Sequence, residues 1–254
     1  MGQVIAVANQ KGGVGKTTTA VNLSASFAAA ERRTLLVDFD PQANASSAVG
    51  FPKGQVDSSI YKAICGDALL PDLVLKTEMK YLDLAPSNRD LIGAEFELSA
   101  REQREFVLRQ ALAPMRAAYS YILIDTPPSL GLLTLNALVA ADSVLIPMQS
   151  EYFALEGLSE LIGTLQRVRE HFNPDLRIEG IVLTMYDDRT NLARQVRDDI
   201  SNHFNDLLLR TTVPRNIRLG EAPSFGKPIL LYDVSSRGSE AYLALARELM
   251  TRHA

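Results

Sequence analysis

A glycine- and lysine-rich segment near the N-terminus constrains this chain more than any other feature. It reads QKGGVGKTT over residues 10–18, follows an apolar run at 4–8 and precedes a stretch with helical character at 17–29. Glycines let a backbone approach an anion closely, and the amide groups at the start of a helix carry partial positive charge. A strand, a loop of this kind and a helix in that order predict a site for phosphate groups.

The loop also predicts separate roles for its side chains. We expect Lys16 to reach the β- and γ-phosphates of a nucleotide and the Thr17 hydroxyl to bind Mg²⁺. The usual first glycine of the motif would fall at position 10, where this chain has Gln10, and an additional lysine, Lys11, precedes the glycines. The residues expected to contact the nucleotide here are Lys11, Gly12, Gly13, Val14, Gly15, Lys16, Thr17 and Thr18.

Two other apolar runs end in acidic residues. Asp38 and Asp40 follow the run at 34–37, and Asp125 follows the run at 121–124. Because ligands in parallel sheets bind at the carboxyl ends of strands, we expect these carboxylates beside the phosphate loop. Asp125 is predicted to bind Mg²⁺ directly or through water, and Asp40 to join the metal site and orient the attacking water. Asp38 is equally compatible with ordinary capping of a strand end.

The remaining apolar runs predict the fold class. They are continuous rather than alternating, as expected for parallel strands that are covered on both faces, and they occupy 81–84, 143–147, 178–184 and 210–213. Apolar stripes at 158–168, at 192–200 behind Thr190 as an N-cap, and at 239–250 predict helices. This order predicts an α/β fold, with a mostly parallel twisted sheet and helices on both faces. Residues 43–57 are predicted to form a mobile loop.

Composition agrees with a single domain over residues 1–254. Of 254 residues, 46% are hydrophobic and 22% charged, and we find no linker, repeat or low-complexity segment. The single cysteine, Cys65, excludes an intramolecular disulfide and a cysteine-rich zinc module. No apolar stretch approaches the roughly 20 residues that span a membrane, and no secretory signal begins the chain. We therefore expect a cytoplasmic protein.

Six segments together resemble the ParA/Soj family of chromosome- and plasmid-partitioning ATPases, which carry a deviant Walker A motif on a P-loop NTPase fold. The similarity extends over essentially the whole chain. The segments are 11–18, 37–42, 125–129, 149–157, 213–219 and 221–228. The resemblance implies that ATP with Mg²⁺ drives the formation of a sandwich homodimer, and the lack of an Asn-Lys-x-Asp guanine motif favours ATP over GTP.

The resemblance also implies roles for particular residues. The additional lysine, here Lys11, is expected to reach the phosphates of the partner subunit, as an arginine finger does. Gly12 is expected to leave no room for a side chain where two subunits meet. The adenine base is expected between Met185 and the loop that contains Pro214 and Arg215.

Binding of double-stranded DNA without sequence preference is a further implication of the resemblance. The formal charge is −4, divided into −5 over residues 1–185 and +1 over 186–254. Arg189 and Arg218 match the family's DNA-binding positions best, and the expected location is the nucleoid. A ParB-like, centromere-binding protein is the expected partner that stimulates hydrolysis. Without the resemblance, so weak a basic cluster would indicate only a solvated surface.

Three alternatives differ from this interpretation in features that the sequence can test. A MinD-like membrane-cycling ATPase for cell-division positioning would carry a basic amphipathic C-terminal tail, whereas Glu240 and Glu248 accompany the arginines here. A reductase similar to the nitrogenase iron protein would need a pair of cluster-binding cysteines. A purely structural binding module would not need carboxylates in hydrolytic positions.

Overall fold

The computed structural model describes residues 2–152, 154–204 and 206–253, and Phe153 of the 149–157 segment therefore lies outside them. Within these ranges the strands are β1 (Gln3–Val7), β2 (Thr34–Asp38), β3 (Leu75–Lys76), β4 (Leu82–Ala85), β5 (Tyr121–Asp125), β6 (Ser143–Gln149) and β7 (Arg177–Thr184). The helices are α1 (Lys16–Ala29), α2 (Asn44–Ala48), α3 (Ile60–Cys65), α4 (Leu70–Leu73), α5 (Leu91–Leu98), α6 (Val107–Leu112), α7 (Leu132–Ala140), α8 (Ala154–His171), α9 (Asn191–His203), α10 (Ile217–Glu221), α11 (Ile229–Tyr232) and α12 (Arg237–Arg252).

The strands form one sheet in the order β3-β4-β2-β5-β1-β6-β7. Every neighbouring pair is parallel except β3 with β4. Asp38 at the end of β2 is in register with Asp125 at the end of β5, and Val7 at the end of β1 is in register with Asp125 as well. The polar residues that follow these three strands therefore meet at one edge of the sheet.

Both faces of the sheet are covered by apolar side chains. Successive residues of a strand point to opposite faces, and alternate residues of β1 join different core clusters. Val4 and Ala6 belong to the cluster that includes α6 to α9, whereas Ile5 belongs to one with α1 and α12. The mostly parallel α/β architecture is confirmed. No helix among the described residues combines the length and apolar character needed to cross a membrane.

The prediction of a strand at 210–213 is wrong. The amides of Arg210 and Thr211 donate hydrogen bonds of 2.8 and 2.9 Å to the carboxylate of Glu248 on α12, so they are not available to a neighbouring strand. Pro214 has no amide hydrogen to donate. The amide of Val213 does donate a hydrogen bond of 2.8 Å to the carbonyl of Leu183 on β7, but the residues paired here form isolated bridges and not a continuous strand.

The prediction of a loop over 43–57 is wrong in its first part. Helix α2 lies there, and its Ala45, Ser46 and Ala48 are buried. The small and polar residues of α2 show no apolar pattern that would predict a helix. Their burial depends on contacts with residues at the ends of strands, such as Asp38. The predicted N-cap of α9 is confirmed, since the Thr190 hydroxyl accepts a hydrogen bond from the amide of Ala193.

Candidate nucleotide-binding site

The loop between β1 and α1 is held in shape by side chains from two other strands. Gly13 and Gly15 adopt φ angles of 75° and 86°, in the left-handed region that favours glycine. Thr184 at the end of β7 donates a hydrogen bond of 2.8 Å to the carbonyl of Val14. Gln149 at the end of β6 donates one of 2.8 Å to the carbonyl of Gly13. The loop is therefore preorganised, with its amides at the start of α1.

Lys16 lies inside this loop and is only 7% exposed. Its Nζ donates a hydrogen bond of 2.9 Å to the carbonyl oxygen of Lys11. Burial lowers the pKa of Lys16, whereas the nearby charges of Asp125 and Asp40 raise it, and burial dominates. The ammonium group is thus placed across the loop, where phosphate oxygens would compensate its loss of solvation.

Asp125 fits a role in binding a cation. The side chain is fully buried, and neither carboxylate oxygen has a hydrogen-bond partner within residues 2–152, 154–204 and 206–253. Burial and the neighbouring charge of Asp38 raise its pKa well above the ordinary value. The Thr17 hydroxyl lies near enough to oppose this rise, but its geometry is not that of a hydrogen bond. A divalent cation would compensate this buried charge.

A protein-only metal cage is absent from the described part of the chain, where no group of three or more His, Cys, Asp or Glu residues could hold an ion. A Mg²⁺ ion that is bound together with phosphates needs only one or two carboxylates from the protein. Asp125 and Thr17 are the residues that would hold it, with Asp40 close enough to affect the pKa of Asp125.

Asp38 and Asp40 occupy different environments after the same strand. Asp38 accepts hydrogen bonds of 2.7 Å from both the amide and the hydroxyl of Ser46, and burial raises its pKa to about 6. It therefore caps the start of α2, which favours the structural interpretation for this residue. Asp40 is 5% exposed, and its Oδ1 accepts a hydrogen bond of 2.9 Å from the amide of Gln42.

The residues expected around the adenine base line one cavity. A cavity of about 310 Å³ brings Met185, Pro214 and Arg215 together with Gly15 and Thr18 of the phosphate loop. Thr184, which precedes Met185 in the segment expected at the base, also lines this cavity. The sequence interpretation missed further lining residues, namely Val213, Asn216, Ile217, Leu219, Gly220 and Tyr242. The cavity adjoins the first turn of α1, as a nucleotide with its phosphates in the loop requires.

Lys11 and Gly12 lie on the outer side of the loop. The Lys11 ammonium forms an ion pair with Glu151, and the two side chains are 55% and 47% exposed. A Cβ built on Gly12 would lie 4.0 Å from the Cβ of Pro128, which is ordinary contact. A single subunit therefore has room for a side chain at position 12, and the expected restriction would have to come from a second subunit.

The two predicted DNA-binding arginines are both engaged in ion pairs on the surface. Arg189 is 84% exposed and pairs with Asp187 at 2.7 Å. Arg218 is 54% exposed and pairs with Glu221 at 2.9 Å and with Asp233 at 3.5 Å. Their positive charges are therefore partly neutralised within the subunit.

Similarity to known proteins decides the family. A family model described as an AAA domain matches residues 2–178. The chain is 57% identical over 252 residues to the chromosome partitioning protein ParA of Myxococcus xanthus, which covers 99% of this chain and 89% of that protein. It is 53% identical over 249 residues to the sporulation initiation inhibitor protein Soj of Bacillus subtilis, with 98% of each covered. This chain belongs to the ParA/Soj family of chromosome-partitioning ATPases.

A solved structure of a related protein has the same fold. The cobyrinic acid a,c-diamide synthase of Mycobacterium smegmatis, with bound ADP and magnesium, superposes with a TM-score of 0.87 at 36% identity, over 100% of this chain and 96% of that one. The MinD-like alternative gives way to the partitioning family, because relatives of that family match at more than half identity over almost the whole chain.

Several residues that shape the site were not predicted from the sequence. Gln149 is one of them, although it lies in a segment that carries the family resemblance and its position alone could have indicated it. Ser46 and Ser87 gave no such signal, because their partners are 8 to 47 residues away in the chain.

Proposed function

We propose that this ATPase is a DNA-partitioning switch. Mg²⁺ and ATP drive a sandwich homodimer that binds double-stranded DNA without sequence preference, and ATP hydrolysis, stimulated by a ParB-like centromere-binding partner, releases the DNA. The protein would act in the cytoplasm, on the nucleoid.

The observation that carries this proposal is the position of two lysines of one loop. The buried ammonium of Lys16 bends into its own loop, and that of Lys11 lies at the surface with Glu151. A nucleotide in the loop would be contacted first by Lys16 of the same subunit. The exposure of Lys11 supports a role in which it supplies a second cation to a nucleotide held by another subunit, which would couple dimerisation to the nucleotide state.

The residues of the chain divide the work of hydrolysis among them. The loop amides and Lys16 would bind and orient the phosphates, and Asp40 would orient the attacking water. Asp125 and Thr17 would hold Mg²⁺, which neutralises charge on the phosphates when bound. Met185, Pro214 and Arg215 would enclose the base, as the surrounding cavity allows.

DNA binding is proposed for the basic C-terminal region of the dimer. Arg189 and Arg218 are exposed, and ion pairs between exposed residues are weakened by solvent and salt, so DNA phosphates can compete with their carboxylate partners. Two subunits would present each arginine twice, and the contacts with phosphates would make the affinity strongly dependent on salt.

Replacement of Lys11 tests the dimer directly. We expect Lys11→Ala to abolish ATP-dependent dimerisation while the monomer still binds ATP, because Lys16 and the loop amides remain. Analytical ultracentrifugation with ATP and Mg²⁺ measures this, and Lys53→Ala serves as a control, since Lys53 is also exposed. Normal ATP-dependent dimers of Lys11→Ala would contradict the proposal.

A further inference from the structure

A buried hydrogen-bond network fixes the main chain of Asp40. The hydroxyl of Ser87 donates a hydrogen bond of 2.7 Å to the carbonyl oxygen of Asp40. The amide of Ser87 donates one of 3.1 Å to the hydroxyl of Ser46, which in turn donates to Asp38 at 2.7 Å. The amide of Asp40 donates to Asp38 at 3.3 Å. Ser87 and Ser46 are 1% and 0% exposed, so solvent does not compete for these bonds.

Ser87 is the long-range hydrogen-bond partner of Asp40 itself, whereas the preceding residue is tied to β5 by the Phe39 amide, which donates a hydrogen bond of 3.0 Å to the carbonyl of Asp125. The other hydrogen bonds of Asp40 are local, since its side chain accepts from the amide of Gln42 and its carbonyl accepts from the amide of Ala43. Ser87 follows β4, so its hydroxyl ties the chain after β2 to the end of the neighbouring strand. The bond joins residues that are 47 positions apart in the chain.

One side of the turn that follows Asp40 borders a cleft. The cleft has a volume of about 650 Å³ and is lined by residues within 41–43, 51–56 and 87–92. Side chains do not fill the space on this side of the turn, so its hydrogen bonds contribute directly to the position of its backbone. The hydrogen bond from the Ser87 hydroxyl to the Asp40 carbonyl connects the chain after β4 to the chain after β2.

We propose that Ser87 is a positioning residue for ATP hydrolysis. It holds the backbone of Asp40 so that the carboxylate can orient water at the phosphates. This inference rests on the role proposed above for Asp40. Ser87 is buried, and its hydroxyl donates its hydrogen bond to the carbonyl of Asp40. It therefore acts through Asp40 and does not touch the substrate.

The substitution Ser87→Ala should lower kcat for ATP hydrolysis about tenfold, because a carboxylate displaced by a fraction of an ångström no longer orients water well. Affinity for ATP and ATP-dependent dimerisation should stay at the level of the unsubstituted protein, because they depend on the phosphate loop. Ser87→Cys keeps a side chain of similar size with a weaker hydrogen-bond donor, so its kcat should lie between that of Ser87→Ala and that of the unsubstituted protein.

Ser59 provides a matched control for the same loss of a buried hydroxyl. It is also 1% exposed, and its hydroxyl donates a hydrogen bond of 2.7 Å to Asn88, the residue next to Ser87. Ser59→Ala should therefore lower the melting temperature about as much as Ser87→Ala without lowering kcat. A merely structural role of Ser87 would make the two variants behave alike in both measurements.

The experiment measures kcat for ATP hydrolysis, together with equilibrium ATP binding and dimerisation, for these variants and for Asp40→Ala. We expect Ser87→Ala to be slow and Asp40→Ala to be inactive, with ATP binding and dimerisation retained in both. Equal kcat for Ser87→Ala and Ser59→Ala, with Asp40→Ala inactive, would overturn the inference. If Ser87→Ala does not fold, a normal kcat for Ser87→Cys would overturn it as well. Normal hydrolysis by Asp40→Ala would instead contradict the proposed function.

Discussion

At the scale of single residues, the site buries several charged side chains whose charges the other residues of the protein do not fully compensate. Burial raises the pKa of Asp125 well above its ordinary value, raises that of Asp38 to about 6, and lowers that of Lys16. The charged form of each residue is therefore less favourable in the folded protein than in the unfolded chain. Binding of phosphate and a cation would relieve this cost, so the same residues link ligand binding to stability.

Asp125→Asn should stabilise the protein in the absence of nucleotide, more at pH 8 than at pH 5. The pKa of Asp125 is higher in the folded than in the unfolded state, so the folded state binds more protons and its stability falls as pH rises between those two values. Asparagine removes this dependence. Thermal unfolding at the two pH values measures the effect, and Asp206→Asn on the surface is the control.

The same increase in melting temperature at pH 5 and pH 8 would show that the charge of Asp125 carries no such cost. The variant should also bind ATP with Mg²⁺ more weakly than the unsubstituted protein, because it loses a carboxylate ligand.

At the scale of elements, the site depends on parallel strands that end together. Four strand ends supply the residues around the phosphate loop, and the chain beyond each strand is fixed by side chains from other elements. Glu248 of α12 is an example, since its carboxylate binds the amides of Arg210 and Thr211 just before the loop that lines the base cavity.

Glu248→Ala should lower the free energy of unfolding by about 1–3 kcal/mol, because it leaves two backbone amides without their acceptor. Urea denaturation measures this loss, and Glu240→Ala is a control on the same helix, where the side chain is exposed. Equal stability of the two variants would show that water satisfies the amides of Arg210 and Thr211 equally well.

The elements that the sequence predicted well are those whose pattern is set by burial alone. Continuous apolar runs located β1, β2, β4, β5, β6 and β7 to within two residues, because central parallel strands are covered on both faces. The failures depend on distant partners. Residues 210–213 have a strand-like composition, but Glu248 accepts the hydrogen bonds of the Arg210 and Thr211 amides. Helix α2 consists of small residues, and its Ser46 amide is bound by Asp38. Ser87 could not be predicted from the sequence either, because its partner Asp40 is 47 positions away in the chain.

At the scale of the whole molecule, the charge distribution fits binding of DNA by an assembly better than by a single subunit. The chain carries a formal charge of −4, and its two predicted DNA-binding arginines are paired with carboxylates. One subunit therefore offers DNA little net attraction. A dimer would present two copies of each arginine to one duplex, and the linked contacts would bind far more tightly than either copy alone.

DNA binding with ATP, with ADP and with no nucleotide tests the switch most directly. In a gel-shift or surface assay with Mg²⁺ and a duplex of arbitrary sequence, we predict strong, salt-dependent retention with ATP and little with ADP or without nucleotide. Arg218→Glu should weaken retention in the ATP sample without changing the rate of hydrolysis. Equal retention of the unsubstituted protein in all three nucleotide states would contradict the account.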